Sequence, residues 1–287
     1  MHGISRRGLL KTGVAAGVLG LTGMPLRAQT RGGKLTAGLG GANTSDSWDG
    51  RTHSDIFMIA SAQGAVFDCL TEVAADGSLI GELAESWEAS ADAKVWTFNL
   101  RQGVTFHNGK SFGADDVIES LQIHVAEGAK SAAQPIVAAI SEMTKINDYQ
   151  VQFTLEAGNA DLPYLLSDYH LLMYPAGQIE EAIAKGIGTG LYQAQSFDPG
   201  VRMVATRYAD HYKGDDAGFF DEIEYIAIND LRENFQIENK ILKDRSADLM
   251  RLLENSTDCF EREGHNADRQ THRAQAAHAM VLEQQQI

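Results

Sequence analysis

Two cysteines and no C-x-x-C pair in 287 residues exclude a small disulfide scaffold and a cysteine-built zinc site. Cys69, inside the apolar "VFDCLTE", reads as a small core residue, and a Cys69–Cys259 disulfide stays open. No cysteine follows the N-terminal apolar run, so no lipid-attachment point is seen there. Basic charge is scarce: 24 Lys and Arg stand against 39 Asp and Glu, a formal net charge of −15. Nucleic acid is excluded as a partner, because its binding rests on Lys and Arg neutralising phosphates. The apolar stretch nearest to a membrane span, Gly13 to Met24, has about a dozen residues where roughly twenty are needed. No G-x-S-x-G elbow and no H-E-x-x-H occurs, so no catalytic residue is assigned and the chain is expected not to be an enzyme. Gly186-Ile-Gly188-Thr-Gly190 is the nearest approach to a phosphate loop. A strand-like Leu191-Tyr192 follows it instead of a helix N-terminus, so it reads as a tight turn. The acids Asp210, Asp215, Asp216, Asp221, Glu222 and Glu224 lack the spacing of a calcium loop and read as solvated surface. His265, His272 and His278 have no i,i+4 ligand geometry. No metal and no cofactor is expected.

What is present begins with a 44% hydrophobic content, enough for a sizeable core. At the N-terminus Arg6, Arg7 and Lys11 precede the short apolar stretch, which ends at Pro25 before "LRAQ". Ser5-Arg6-Arg7 followed by Leu9-Leu10-Lys11 resembles a twin-arginine (Tat) export signal, with Ala28 as the small residue before the cleavage point. Residues 1–28 are therefore expected to be a signal peptide read by the Tat export machinery. Loss of Arg6, Arg7, Lys11 and Arg27 takes the charge from −15 to −19.

Further along, "GGKLTAGLGG" has Leu35, Ala37 and Leu39 on one side of a short strand. "IFMIASAQGAVFDCL" carries apolar residues at 56, 59, 60, 66, 67 and 70, which suits a helix. Trp96, Phe98 and Leu100 alternate with polar residues, as do Val151, Phe153 and Leu155, and both runs read as half-buried strands. Val104 and Phe106 alternate again after the Gln102-Gly103 turn, which predicts a hairpin or closely spaced strands. A helix is expected near 114–126, opening at Gly113 with Asp115 and Asp116 in its first turn. Others are expected at about 132–142 and over "IEEAIAKG", ending at Gly186. "GLYQAQSF", "VRMVATRY" and "EIEYIAIND" read as three more strands. Helices and strands mix without strict alternation, which is α/β or mixed α+β.

Two blocks carry a family resemblance. "LAESWEASADAKVWTFNLRQGVTFHNGKSFGADDVIESL" (83–121) and "GIGTGLYQAQSFDPGVRMVATRYADHYKGDDAGFFDEIEYIAIND" (186–230) resemble the family 5 solute-binding proteins, receptors of dipeptide and oligopeptide ABC importers. With "GGKLTAGLGG" the resemblance covers about 32–230. Ala93 stands where the family usually has Gly, Gly113 replaces a capping hydroxyl, and Leu191 replaces a Pro.

The resemblance implies an α/β fold of the type II periplasmic-binding-protein kind: a mixed-sheet lobe (29–75 and 186–230) with an inserted α+β subdomain (76–185). It implies a periplasmic protein that captures a peptide or other small solute and hands it to an ABC permease, while a separate ATPase subunit hydrolyses ATP. Trp48, Asp49, His53, Tyr169 and His170 are the candidate ligand contacts. The alternatives are an inactive fragment of such a receptor and a periplasmic enzyme or metal-binding protein.

The resemblance is expected to stop at Asp230. Of the 28 glycines, Gly264 alone falls in 231–287, and that tail has no Pro, Tyr or Trp. The tail is expected to be atypical, helical or disordered, the product of a frameshift or rearrangement near 231, with the second lobe missing.

Overall fold

A computed structural model of the chain describes residues 31–214 and 216–229. The expectations for Arg6, Arg7 and Ala28, for the tail 231–287 and for Cys259 lie outside these residues. Helices and strands intermix, as expected for the α/β class.

One four-stranded sheet is antiparallel. It comprises β4 (Ala84–Ala89), β5 (Val95–Leu100), β7 (Gln150–Leu155) and β6 (Ile140–Asn147), in that spatial order. The alternation read from the sequence decides its buried face. Trp96, Phe98 and Leu100 of β5 and Val151, Phe153 and Leu155 of β7 point inward, and Phe98 meets Phe153 at 5.4 Å between ring centroids. Against this face pack Val117 and Leu121 of α2 (Ala114–Gln122) and the side chains of Phe106 and Phe112. Each fully buried aromatic here contributes about 2–3 kcal/mol relative to exposure.

The second four-stranded sheet is mixed. Its order is β1 (Lys34–Leu39), β10 (Glu222–Ala227), β9 (Arg202–Arg207), β8 (Tyr192–Asp198), with β1 parallel to β10 and the other pairs antiparallel. It packs on a second core that includes Trp48, Phe57, Phe67, Tyr174, Met203 and Ile223. Lys34 pairs with both Glu222 and Glu224 at 2.8 Å, and the Asp221 carboxylate accepts the Gly33 N–H at 2.9 Å. Part of the acidic run therefore fastens β1 to β10. Between the two cores runs "LLMY": Leu171 and Met173 enter the first, Leu172 and Tyr174 the second. A short hairpin, β2 (Thr71–Val73) with β3 (Leu79–Gly81), turns over Asp76-Gly77.

Four expectations need correction. The helix read at 132–142 is α3 (Gln134–Ala138) only, and Ile140–Asn147 is strand β6. Ile140 and Met143 pair with Leu155 and Phe153 of β7, so an available sheet edge outweighs local helix propensity. Residues 104–112 form no pair of strands. They make a tight loop with one bridge, Thr105 to Ser111, closed by Phe106 N–H to Lys110 O at 2.8 Å. The helix read near 114–126 ends at Gln122, where His124 turns inward to Ser131. The helix over 56–70 is α1 (Ile56–Ser61) followed by a wider π turn, Ala62–Val66, after which Phe67 is extended. Among the described residues the remaining helices are α4 (Leu162–Leu165) and α5 (Ile179–Lys185), which ends on Gly186 in the left-handed conformation.

Ala93 has φ +52°, the left-handed region, at the turn where the family resemblance called for glycine. An L-residue there costs about 1–2 kcal/mol. Ala93→Gly is therefore expected to raise stability by about 0.5–1 kcal/mol after the loss of the methyl contact. Urea unfolding of the pair checks this, and a lower midpoint for the glycine variant would count against it.

Candidate functional site

Polar residues of short reach build the loop between β1 and α1. The Asp46 carboxylate accepts the Asn43 N–H at 2.8 Å, and the Asn43 side-chain oxygen accepts the Ser45 N–H at 3.1 Å. Asp49 then caps the 3-10 turn Gly50–Thr52, accepting the Arg51 N–H at 3.1 Å. Its carboxylate is gripped at both oxygens by the Arg51 guanidinium, each contact at 2.8 Å. Burial alone would push the Asp49 carboxyl up; the Arg51 hydrogen bonds and charge hold it below the ordinary range.

The five candidate residues gather in one place, where this loop meets the turn at 167–170. The Trp48 ring is 2% exposed and lies 4.5 Å from Phe197 and 6.0 Å from Phe67. Its carbonyl accepts the Tyr174 hydroxyl at 2.7 Å, and that same hydroxyl oxygen accepts the Gly50 N–H at 2.8 Å. Gly186 is needed beside it, because a Cβ there would sit 2.9 Å from the Trp48 ring. His53, buried, donates from Nε2 to the Ser47 carbonyl at 2.9 Å. His170, also buried, reaches the His53 carbonyl from Nε2 at 2.9 Å and Asp168 Oδ1 from Nδ1 at 2.6 Å. The Tyr169 ring lies 4.0 Å from that of His170. Trp48, His53 and His170 thus turn their side chains into the protein and support the loop, whereas Asp49 and Tyr169 keep partly exposed surface.

Sequence reasoning missed a second cluster. Asp68 and His211, both buried, face each other at 3.6 Å. Lys213 bridges Glu72 at 2.6 Å and Glu82 at 3.2 Å. Glu82 also accepts the Cys69 N–H at 2.7 Å. The Cys69 thiol is free and buried, 3.5 Å from the Asp168 carbonyl. The Arg101 guanidinium covers the Tyr212 ring at 4.7 Å. The available signal was a charged residue inside an apolar run, as Asp68 is in "VFDCL". Among the described residues no group of three or more His, Cys, Asp or Glu is placed to hold a metal, and no helix is long and apolar enough to cross a membrane.

The glycines at 186–190 serve backbone packing. Gly190 N–H donates to Val66 O and His107 N–H to Gly188 O, each at 2.9 Å, and β8 follows at once. His107 Nε2 adds a bond to the Gly190 carbonyl at 2.9 Å. A cavity of about 230 Å³ lies elsewhere, at the start of α2, lined among others by Lys110, Asp115, Asp116, Lys145 and Asp148. Both of its lysines are paired there, Lys110 with Asp116 and Lys145 with Asp115 and Asp148.

Burial keeps three imidazoles neutral. It pulls His53 and His107 below the ordinary histidine value, and with the nearby Arg51 charge it takes His124 down to about 4. An unfolded chain takes up these protons near pH 6.5 while the folded rings refuse them. Their contribution to stability is present above pH 6.5 and lost as pH falls toward 4. Glu82, pushed up by burial and by Asp68, works in the opposite sense. The three rings stand against two carboxyls raised by burial, Glu82 and Asp46, so the melting temperature is expected to fall modestly, by about 2 °C or more, from pH 7 to pH 5. Calorimetry at the two pH values checks this; an equal or higher value at pH 5 rules it out.

Comparison with known proteins places the chain. Residues 78–247 match the family model described as bacterial extracellular solute-binding proteins, family 5 Middle. The match runs past Asp230, where the resemblance was expected to stop. A di/tripeptide-binding protein 2 of Pseudomonas aeruginosa is 31% identical over 163 residues, which is 48% of this chain and 31% of that protein. The nickel-binding periplasmic protein of Escherichia coli is 35% identical over 104 residues, 36% of this chain and 20% of that protein. Among solved structures, the periplasmic binding protein AgaA from A. tumefacien R10, in complex with agropinic acid, is similar at a TM-score of 0.65 and 25% identity, over 72% of this chain and 41% of that one. The mixed-sheet architecture is that of type II periplasmic binding proteins. The chain spans about a third or less of the length of these curated relatives.

Proposed function

The chain belongs to the bacterial extracellular solute-binding proteins of family 5, and from that premise we propose that it captures a peptide or similar small solute in the periplasm for an ABC importer. The family match over more than half of the chain carries this reading. The relatives' printed names include di/tripeptide binding, which favours peptides among small solutes. Capture needs a cleft wall with a few fixed polar groups and aromatic surface. The junction of the 43–53 loop with the 167–170 turn supplies such a wall. In it Asp49 and Tyr169 are the contacts, and Trp48, His53 and His170 hold them in place. A bound peptide's amino terminus suits the Asp49 carboxylate, which Arg51 leaves anionic but shares. Delivery then goes to a membrane permease, with ATP hydrolysed by its partner subunit, and the chain itself carries out no catalysis. Residues 1–28 act as the twin-arginine address that takes it to the periplasm. Residues 29–75 and 186–230 form the lobe core, and 76–185 the inserted subdomain.

Calorimetry of the purified chain against mixed dipeptides and tripeptides tests the reading. Saturable binding is expected, weakened about tenfold by Tyr169→Ala. Absence of any saturable heat overturns it.

A further inference from the structure

The ring of His170 has an acceptor at each nitrogen. Nδ1 is 2.6 Å from Asp168 Oδ1 and Nε2 is 2.9 Å from the His53 carbonyl oxygen. A carbonyl oxygen only accepts. Asp168 Oδ1 also accepts the His170 N–H at 2.9 Å, so it too is placed as an acceptor. A neutral imidazole has one N–H and one lone pair. It would leave one of these two contacts as a lone pair facing a lone pair. With Asp168 as the carboxylate, only the doubly protonated ring satisfies both.

We propose that His170 is a positioning residue: a buried imidazolium whose two N–H groups tie the 47–53 loop to the 167–170 turn and so set where Asp49 and Tyr169 stand. The role of those two residues rests on the peptide-capture reading above; the tie itself does not.

The surroundings agree with one positive charge held at this ring. Burial alone would push the Asp168 carboxyl up, yet its bonds from the His170 ring and N–H bring it below the usual carboxylate range. His53 and His124 nearby are both held neutral, first by burial. His53 needs only one ring proton, on Nε2 toward Ser47 O. Arg51 is already matched by Asp49. Asp168 and His170 are therefore left as a local pair of opposite charge. A charge-assisted bond of this kind is about twice as strong as a neutral one. It joins segments separated by more than a hundred residues, since His53 O and His170 Nε2 are 117 positions apart.

The test is a long-range proton–nitrogen spectrum of the 15N-labelled full chain at pH 7. Two protonated-type ring nitrogens are expected for His170. One protonated and one bare nitrogen overturns the proposal. His170→Gln keeps one donor and loses the other. Amide hydrogen exchange in the variant is expected to quicken by tenfold or more at residues 47–53 and 167–170, and to stay within twofold in β5 and β7. Unchanged exchange in the loop also overturns the proposal. Should the variant not fold, the wild-type spectrum decides alone. Titration with the same dipeptide and tripeptide mixture separates the two ideas. About tenfold weaker binding by the variant, the worth of one hydrogen bond to a charged group, supports both. A wild-type chain that binds no peptide but shows the doubly protonated ring ends the capture reading and leaves the tie standing.

Discussion

Lys213→Met is expected to destabilise the fold by about 3–5 kcal/mol. Lys213 Nζ lies 2.6 Å from Glu72 and 3.2 Å from Glu82, and the Glu82 side chain is only 6% exposed. Methionine keeps most of the aliphatic stem, so the loss is chiefly that of the charge. Glu82 then faces Asp68 without its compensating cation, and a buried unpaired carboxylate is among the costliest groups a protein can hold. The sign of the pH dependence separates this cause from simple repacking. In the variant the Glu82 carboxyl rises further above its unfolded value. A carboxyl raised in the folded state contributes stability that is present at low pH and lost as pH rises through its folded value. The penalty should therefore be smaller at pH 5 than at pH 8. A second change, Glu82→Gln, should return at least half of it, since an amide oxygen can still accept the Cys69 N–H. Urea unfolding of the parent and both variants is the measurement. A loss under about 1 kcal/mol, or one independent of pH, would show that the cluster is not held by charge pairing.

Gly188→Ala is expected to cost more than about 3 kcal/mol, through overpacking against backbone. A Cβ at 188 would lie 2.0 Å from the Val66 carbonyl oxygen and 2.7 Å from the Phe67 ring. The oxygen cannot swing away as a side chain would. It belongs to the π turn Ala62–Val66 and already accepts the Gly190 N–H. The 186–190 turn and the 65–67 segment would have to separate, taking the His107 bond to Gly190 with them. Gly64→Ala is the matched control in the same turn. Its Cβ would have nothing nearer than 3.7 Å, and the variant should stay within about 1 kcal/mol of the parent. Thermal unfolding of both checks the pair. Similar melting temperatures for Gly188→Ala and the parent would overturn the close-approach argument.

Much of the architecture was legible before any coordinates. The alternation in "VWTFNL" and "VQFTL" gave the two central strands and their buried faces. Gly113 and Gly186 marked the start of α2 and the end of α5, and the glycines at 186–190 read as a turn because no helix follows them. Ala93 stood out as a departure and proved to be a strained φ. The candidate residues Trp48, Asp49, His53, Tyr169 and His170 were read as aromatic and polar groups on two loops, which His170 joins through the His53 carbonyl. Their division into support and partly exposed surface was not legible, since Trp48 and Tyr169 look alike in a sequence window.

The sequence by itself determined the class of the fold, the strand faces and the family, because periodicity and turn residues are local and survive in a one-dimensional reading. Tertiary structure alone decided β6, the Asp68–Glu82–Lys213 cluster and the two-sided grip on His170. Strand β6 exists because β7 offers it an edge. Burying Glu82 is tolerable only because Lys213, 131 residues away along the chain, arrives beside it. The two acceptors at His170 are a carboxylate and a carbonyl that the folded chain sets on either side of one ring. These are properties of pairs, and a pair's energy depends on a distance that neither residue's neighbours in the sequence contain.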